Sequence, residues 1–228
     1  MPFPNLADRL AEVRERIADA VVRGGHGQRV MLVAVTKTHG PDAARAVKAL
    51  GIDDVGENKV QEALPKMDAA GVSLRWHLIG HLQRNKAKAV DRFDLVHSID
   101  SERIGEAVAV VGRSRGKPVD VLVQVNVSGE ESKSGVGAAE IQRLAYALVA
   151  QDGLRVRGVM TMAPVDADER VLRSTFAGAR AALAAVRAAG HADASELSMG
   201  MSGDYEIAVE EGATIVRLGT VLFGARAT

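Results

Sequence analysis

The chain contains no cysteine. That excludes disulfide staples, thiolate nucleophiles and Cys-ligated zinc, and makes the cytoplasm the expected address. Neither sign of charge is in excess, with 29 basic and 29 acidic residues. No net field therefore draws the molecule to nucleic acid or to a membrane surface. No apolar run reaches the length of a membrane span, and Met1-Pro2-Phe3-Pro4-Asn5 is not a basic segment followed by an apolar one. Neither a transmembrane helix nor an export signal is expected. Aromatic residues are scarce, with one Trp, two Tyr and four Phe, so Ala, Val and Leu must supply most of the core. A length of 228 residues suits one barrel-sized α/β domain, and no linker or low-complexity tract interrupts it, so residues 1–228 are read as a single domain.

What is present is an alternation of strand and helix patterns. Leu6, Leu10, Val13, Ile17 and Val21 recur at helical spacing before Gly24-Gly25, which predicts an opening amphipathic helix. Strand patterns follow at Val30 to Thr36, Asp53 to Gly56, Leu74 to Ile79, Leu95 to Ile99, Val119 to Val125, Arg155 to Met160, Leu197 to Met199 and Ile215 to Leu218. Helix patterns separate them, including one near Asn85 to Val90 and a short one from about Gly203 to Glu211. About eight strand-helix units over one domain's length predict a closed (β/α)8 TIM-type barrel with an extra N-terminal helix. An open doubly wound sheet is the competing architecture.

In a barrel the strand C-terminal ends carry the site, and the turns after strands seven and eight offer a phosphate-binding place. Lys37 ends the apolar run Val30-Met31-Leu32-Val33-Ala34-Val35-Thr36. A lysine there either reaches water over an apolar stem or uses its amine on a ligand. Met199-Gly200-Met201-Ser202-Gly203-Asp204 follows strand seven, with Ser202 expected to cap the next helix and Gly203 admitting close backbone approach. Arg217-Leu218-Gly219-Thr220 supplies a second small-residue turn. Arg217 lies inside an apolar strand, so its guanidinium needs either a carboxylate or a ligand acceptor. An amine, a guanidinium and a phosphate cup together would hold a phosphorylated aldehyde at three points, and pyridoxal phosphate fits that description. His77 and His81 are four apart, but they fall on a strand and its turn, so no metal site is expected.

Six ordered blocks make the chain recognisable. They are Val33-Ala34-Val35-Thr36-Lys37-Thr38, Gly56-Glu57-Asn58-Lys59-Val60-Gln61-Glu62, and Trp76-His77-Leu78-Ile79-Gly80-His81-Leu82-Gln83-Arg84-Asn85-Lys86. Gln124-Val125-Asn126-Val127-Ser128 with Glu131-Ser132-Lys133-Ser134-Gly135, then Leu197-Ser198-Met199-Gly200-Met201-Ser202, and Arg217-Leu218-Gly219-Thr220 with Phe223-Gly224-Ala225-Arg226 complete the set. The chain resembles the pyridoxal phosphate homeostasis proteins, which are similar to the barrel domain of alanine racemase. The resemblance implies that Lys37 forms the internal aldimine with pyridoxal 5'-phosphate (PLP). It also implies that Ser202, Gly203, Gly219 and Thr220 hold the phosphate, that Arg217 faces the pyridine nitrogen, and that Asn58 and His81 line the ring pocket. Position 59, often aromatic in the family, is Lys59 here.

A permanently charged guanidinium donates to a ring nitrogen but cannot accept its proton, which weakens the ring as an electron sink. The two tyrosines, Tyr146 and Tyr205, fall on predicted helices, so no second base is expected, nor the second domain that completes a racemase site. The expected role is therefore vitamin B6 homeostasis: a monomer holding PLP for delivery to PLP-requiring apo-enzymes rather than a catalyst. An amino-acid racemase-like enzyme is the alternative, and a cofactor-free Schiff-base aldolase a second, though the latter leaves Arg217 without a purpose. The polar stretch 128–135 is expected to be a solvated loop, with Lys133 a candidate transient amine for transfer.

Overall fold

The computed structural model describes residues 3–129, 134–137 and 139–224. Glu131, Ser132, Lys133, Ala225 and Arg226, singled out above, lie outside the described residues. Eight parallel strands form the barrel: β1 (Met31–Val35), β2 (Asp54–Glu57), β3 (Arg75–Leu78), β4 (Leu95–Ile99), β5 (Val119–Asn126), β7 (Leu154–Met160), β8 (Glu196–Ser198) and β9 (Ile215–Leu218). A two-residue strand, β6 (Val136–Gly137), pairs with the end of β5. The sheet runs β4-β3-β2-β1-β9-β8-β7-β5 and closes through β4 against β5. The expected barrel is therefore formed, and the open sheet is not.

Pairing of β1 with β9 places Val33 beside Arg217 and Ala34 beside Leu218. The first and last strands are thus neighbours, and the turns that follow them share one end of the barrel. Inside, Val33, Leu95, Leu122, Met160 and Ile215 form an apolar cluster. Outside, the strands' other faces pack on the helices α2 (Pro41–Ala49), α3 (Val60–Ala70), α4 (Glu102–Ser114), α5 (Ile141–Val149) and α6 (Glu169–Ala188). Because both strand faces are buried, the strands read as nearly continuous apolar runs.

The opening helix α1 (Leu6–Gly24) is amphipathic, burying Leu6, Leu10, Val13 and Ala20, and Gly25 ends it in the left-handed conformation. It lies against α7 (Tyr205–Glu210), to which Arg16 and Arg23 are ion-paired through Glu206 and Glu210. Two elements go beyond expectation, though the expected helix near Asn85 to Val90 is present. Residues Arg84–Arg92 form a 3-10 helix, not an α-helix, because its buried residues, Ala87 and Val90, are three apart and a three-residue turn keeps them on one face. The Gly219-Thr220 turn runs directly into a four-residue helix, α8 (Thr220–Phe223).

Candidate functional site

Lys37 is aimed by a clamp behind it. The Thr36 hydroxyl donates to Glu57 Oε1, and Lys66 Nζ donates to both that carboxylate (2.6 Å) and the Thr36 carbonyl (2.7 Å). Glu57 and Lys66 are buried, so the pair acts in a medium that screens it little. Thr38 then takes a positive φ of 69°, and the His39 amide bonds back to the Thr36 carbonyl, turning the chain sharply after the lysine. The His39 ring stands against Phe3 and Phe223.

Ser202 does not cap the helix that follows it. Asp204 precedes α7, and its Oδ1 accepts instead from the Met201 amide at 2.6 Å. The Ser202 hydroxyl lies across the gap to the last turn, where it accepts from the amides of Gly219 (3.4 Å) and Val221 (3.2 Å). The reason is local: two residues separate Ser202 from α7, too many for a side-chain cap. The outcome is one cup made from two turns. A Cβ at Gly203 would meet nothing within 4 Å, and one at Gly219 would sit 3.5 Å from Val35. The cup is therefore open space bordered by backbone.

Arg217 is buried, donating Nη1 to Ser198 Oγ (2.6 Å) and Nη2 to the Thr161 carbonyl (2.9 Å). Among the described residues no carboxylate is ion-paired with it, so the alternative of a carboxylate partner is not what is seen. Burial lowers its pKa to about 10, partly offset by Asp204. It remains a cation near neutral pH. Asp204 is in turn shifted upward by burial, against the Met201 amide and Arg217, which favour its charge.

Lys37, Asn58, His81, Ser202, Gly203, Arg217, Gly219 and Thr220 all line one cavity of about 440 Å³ at the strand C-terminal ends. Asn58 directly follows β2. His81 is exposed at the mouth, with Nδ1 3.4 Å from Asp100, whereas His77 is buried inside the barrel. The two histidines do not converge. Gly80 has a packing purpose, since a Cβ there would lie 2.2 Å from the Asn58 carbonyl oxygen. Lys59 is absent from the lining and pairs with Glu62 at 3.0 Å.

Sequence reading missed Gln124, Ser134 and Met162, which also line the cavity. Gln124 carried a signal, being an amide between Val123 and Val125 in the apolar run of β5; its Nε2 donates to the Ser134 carbonyl at 2.9 Å. Ser134 carried none, because only the return of the chain onto β5 brings it there. Tyr146 is exposed on α5, and Tyr205 is buried on α7 near Arg16. Neither tyrosine lines the cavity.

The model of the alanine racemase N-terminal domain family matches residues 9–227. A pyridoxal phosphate homeostasis protein of Pseudomonas aeruginosa is 39% identical over 224 residues, covering 97% of this chain and 96% of that one. The chain belongs to the pyridoxal phosphate homeostasis protein family. The member from Escherichia coli is 38% identical, with 97% of each chain covered. Among solved structures, PipY of Synechococcus elongatus with PLP bound superposes with a TM-score of 0.85 at 35% identity, covering 96% of this chain and 100% of PipY. Alanine racemase from Corynebacterium glutamicum shares the barrel fold, with a TM-score of 0.72 at 22% identity, and 62% of its length is covered.

Proposed function

We propose that the chain is one domain that holds pyridoxal 5'-phosphate at Lys37 and serves PLP homeostasis and delivery to PLP-requiring apo-enzymes. The observation that carries this reading is the meeting of an amine, a guanidinium with no ion-pair partner among the described residues and a two-turn cup in one cavity of about 440 Å³. These residues fit the cofactor. When bound, PLP supplies an aldehyde that exchanges between amines. Lys37 offers the amine, from a strand end fixed by the Glu57–Lys66 pair. Ser202, Gly203, Gly219 and Thr220 offer hydroxyls and backbone to the phosphate, and Arg217 offers remaining N–H groups to the ring nitrogen. Asn58 and His81 border the ring.

Arg217 can donate a proton-sharing bond but not take up a proton, so the pocket does not sustain a protonated ring nitrogen. The tyrosines lie elsewhere. Both features favour holding the cofactor over carbanion chemistry on an amino acid. No helix among the described residues is long and apolar enough to cross a membrane.

Protein mixed with PLP should gain a visible absorbance band. Borohydride should bleach it and leave a pyridoxyl mass on Lys37. Lys37→Ala should lose both, and a wild-type protein without the band would defeat the reading. A sugar-derived mass instead would point to the aldolase. Among the described residues, His81 is the cavity's remaining titratable side chain besides Lys37 and Arg217, and so the candidate for the base a racemase would need. Incubation with single-enantiomer alanine in deuterated water is expected to leave Cα unlabelled, whereas turnover with deuterium incorporation would establish catalysis.

A further inference from the structure

A continuous run of hydrogen bonds threads the barrel from Arg217 to its opposite mouth. Arg217 Nη1 reaches Ser198 Oγ at 2.6 Å, Ser198 Oγ lies 2.9 Å from His97 Nδ1, and His97 Nε2 lies 2.9 Å from His77 Nδ1. His77 Nε2 then meets Asp54 Oδ1 at 3.1 Å, and Asp54 is held by Arg75 Nε (2.7 Å) and Nη2 (2.5 Å). The residues come from β9, β8, β4, β3 and β2. Strands β8 and β4 are not neighbours, so the Ser198–His97 bond crosses the barrel interior. Arg217, Ser198, His97, His77 and Asp54 are all buried.

With both imidazoles neutral, the donor inventory allows this column one arrangement. A guanidinium only donates, so Ser198 Oγ accepts from Arg217 and keeps its own hydrogen for His97 Nδ1. His97 then carries its proton on Nε2 and gives it to His77 Nδ1, which leaves His77 Nε2–H for Asp54. A carboxylate only accepts, so the Asp54 end sets this direction and the Arg217 end fits it. Burial would raise the pKa of Asp54, but bonds from His77 and Arg75 outweigh it and hold it below the usual carboxylate range. Burial above all, with the nearby charge of Arg217, holds the His97 pKa well below its ordinary value and keeps the ring neutral. A proton on His97 Nδ1 would displace the Ser198 hydrogen from that bond and reverse its direction.

A packing role alone does not account for so much buried polarity. The same interior holds Val33, Leu95, Leu122, Met160 and Ile215, and apolar filling is generally as stable as a satisfied polar network or more so. The distinguishing product of the column is a fixed guanidinium plane: Nη1 is tied to Ser198, Nη2 to Thr161, and the other N–H groups are left for the cavity. We propose that Ser198, His97, His77 and Asp54 are positioning residues that fix Arg217 as a donor to the cofactor's ring nitrogen. The inference rests on PLP occupying the cavity.

The test is a comparison of two ligands, PLP and its 1-deaza analogue, in which a C–H replaces the ring nitrogen. Dissociation constants are measured for wild type, Ser198→Ala, Asp54→Asn and the hydroxyl-retaining Ser198→Thr, with circular dichroism melts establishing that each is folded. Wild type should prefer PLP, and Ser198→Ala and Asp54→Asn should reduce that preference about tenfold, the scale of one charge-assisted hydrogen bond. Ser198→Thr should keep it. Loss of affinity for both ligands alike, or an unchanged preference in either folded variant, overturns the positioning role. If Asp54→Asn does not fold, Ser198→Ala alone decides. Wild-type protein that binds neither ligand overturns the PLP reading itself, and the inference with it.

Discussion

The amine of Lys66 holds together more than its own ion pair. It joins the Glu57 carboxylate to the Thr36 carbonyl immediately before Lys37, and both side chains of the pair are almost inaccessible, at 7% and 0%. Lys66→Ala would strand a buried carboxylate, and a loss of about 3–5 kcal/mol is expected in denaturant unfolding. The double variant Lys66→Met with Glu57→Gln should recover much of it. His97 makes a pH-dependent contribution. Its native pKa lies well below the ordinary 6.5, so the unfolded chain takes up a proton that the folded one refuses. Stability from this residue is present above that value and falls as pH drops through it. The melting temperature should decline from about pH 7.5 to about pH 5.5, and His97→Gln should flatten the decline. Lys37 and Arg217 could be singled out in the sequence because each is a cation in an apolar run. Ser198 and His97 could not be paired that way, since 101 positions separate them and only barrel closure makes them partners.

Helices and strands register a different constraint, the closeness of their approach. A Cβ at Gly112 of α4 would lie 1.7 Å from the carbonyl oxygen of Gly153 in the turn before β7. Gly112→Ala must push the helix off the barrel, and a cost of about 1–3 kcal/mol is expected in thermal unfolding. Gly116, just past the same helix, has a φ of 67°, and a methyl group there would meet nothing within 4 Å; Gly116→Ala meets conformational strain alone, about 1 kcal/mol. Most elements could be read from apolar spacing because the strands are buried on both faces. The helix at Arg84–Arg92 could be read as a helix but not as a 3-10 one, because its only buried pair, Ala87 and Val90, is three apart, a spacing that both helix types accommodate. Two-residue β6 is too short to carry a period. Ser202 misled for a related reason: a serine before a helix suggests a cap, and its actual bonds reach a turn distant in sequence.

The whole molecule is organised by the seam between β1 and β9. Lys37 comes from one side of that seam, and Arg217, Gly219 and Thr220 come from the other. Barrel topology was readable because strand order around a closed barrel follows chain order, which makes the first and last strands neighbours. The position of the cup followed from that; the polar column did not, because no local pattern announces a contact across the interior. Contacts between the two ends of a chain also form late in folding, after a large loop-closure cost. During synthesis the ribosome therefore releases Lys37 long before the guanidinium and the cup exist. On the proposed reading, a half-made chain presents a lysine without its guanidinium and cup, so capture of the cofactor is expected only of molecules whose barrel has closed.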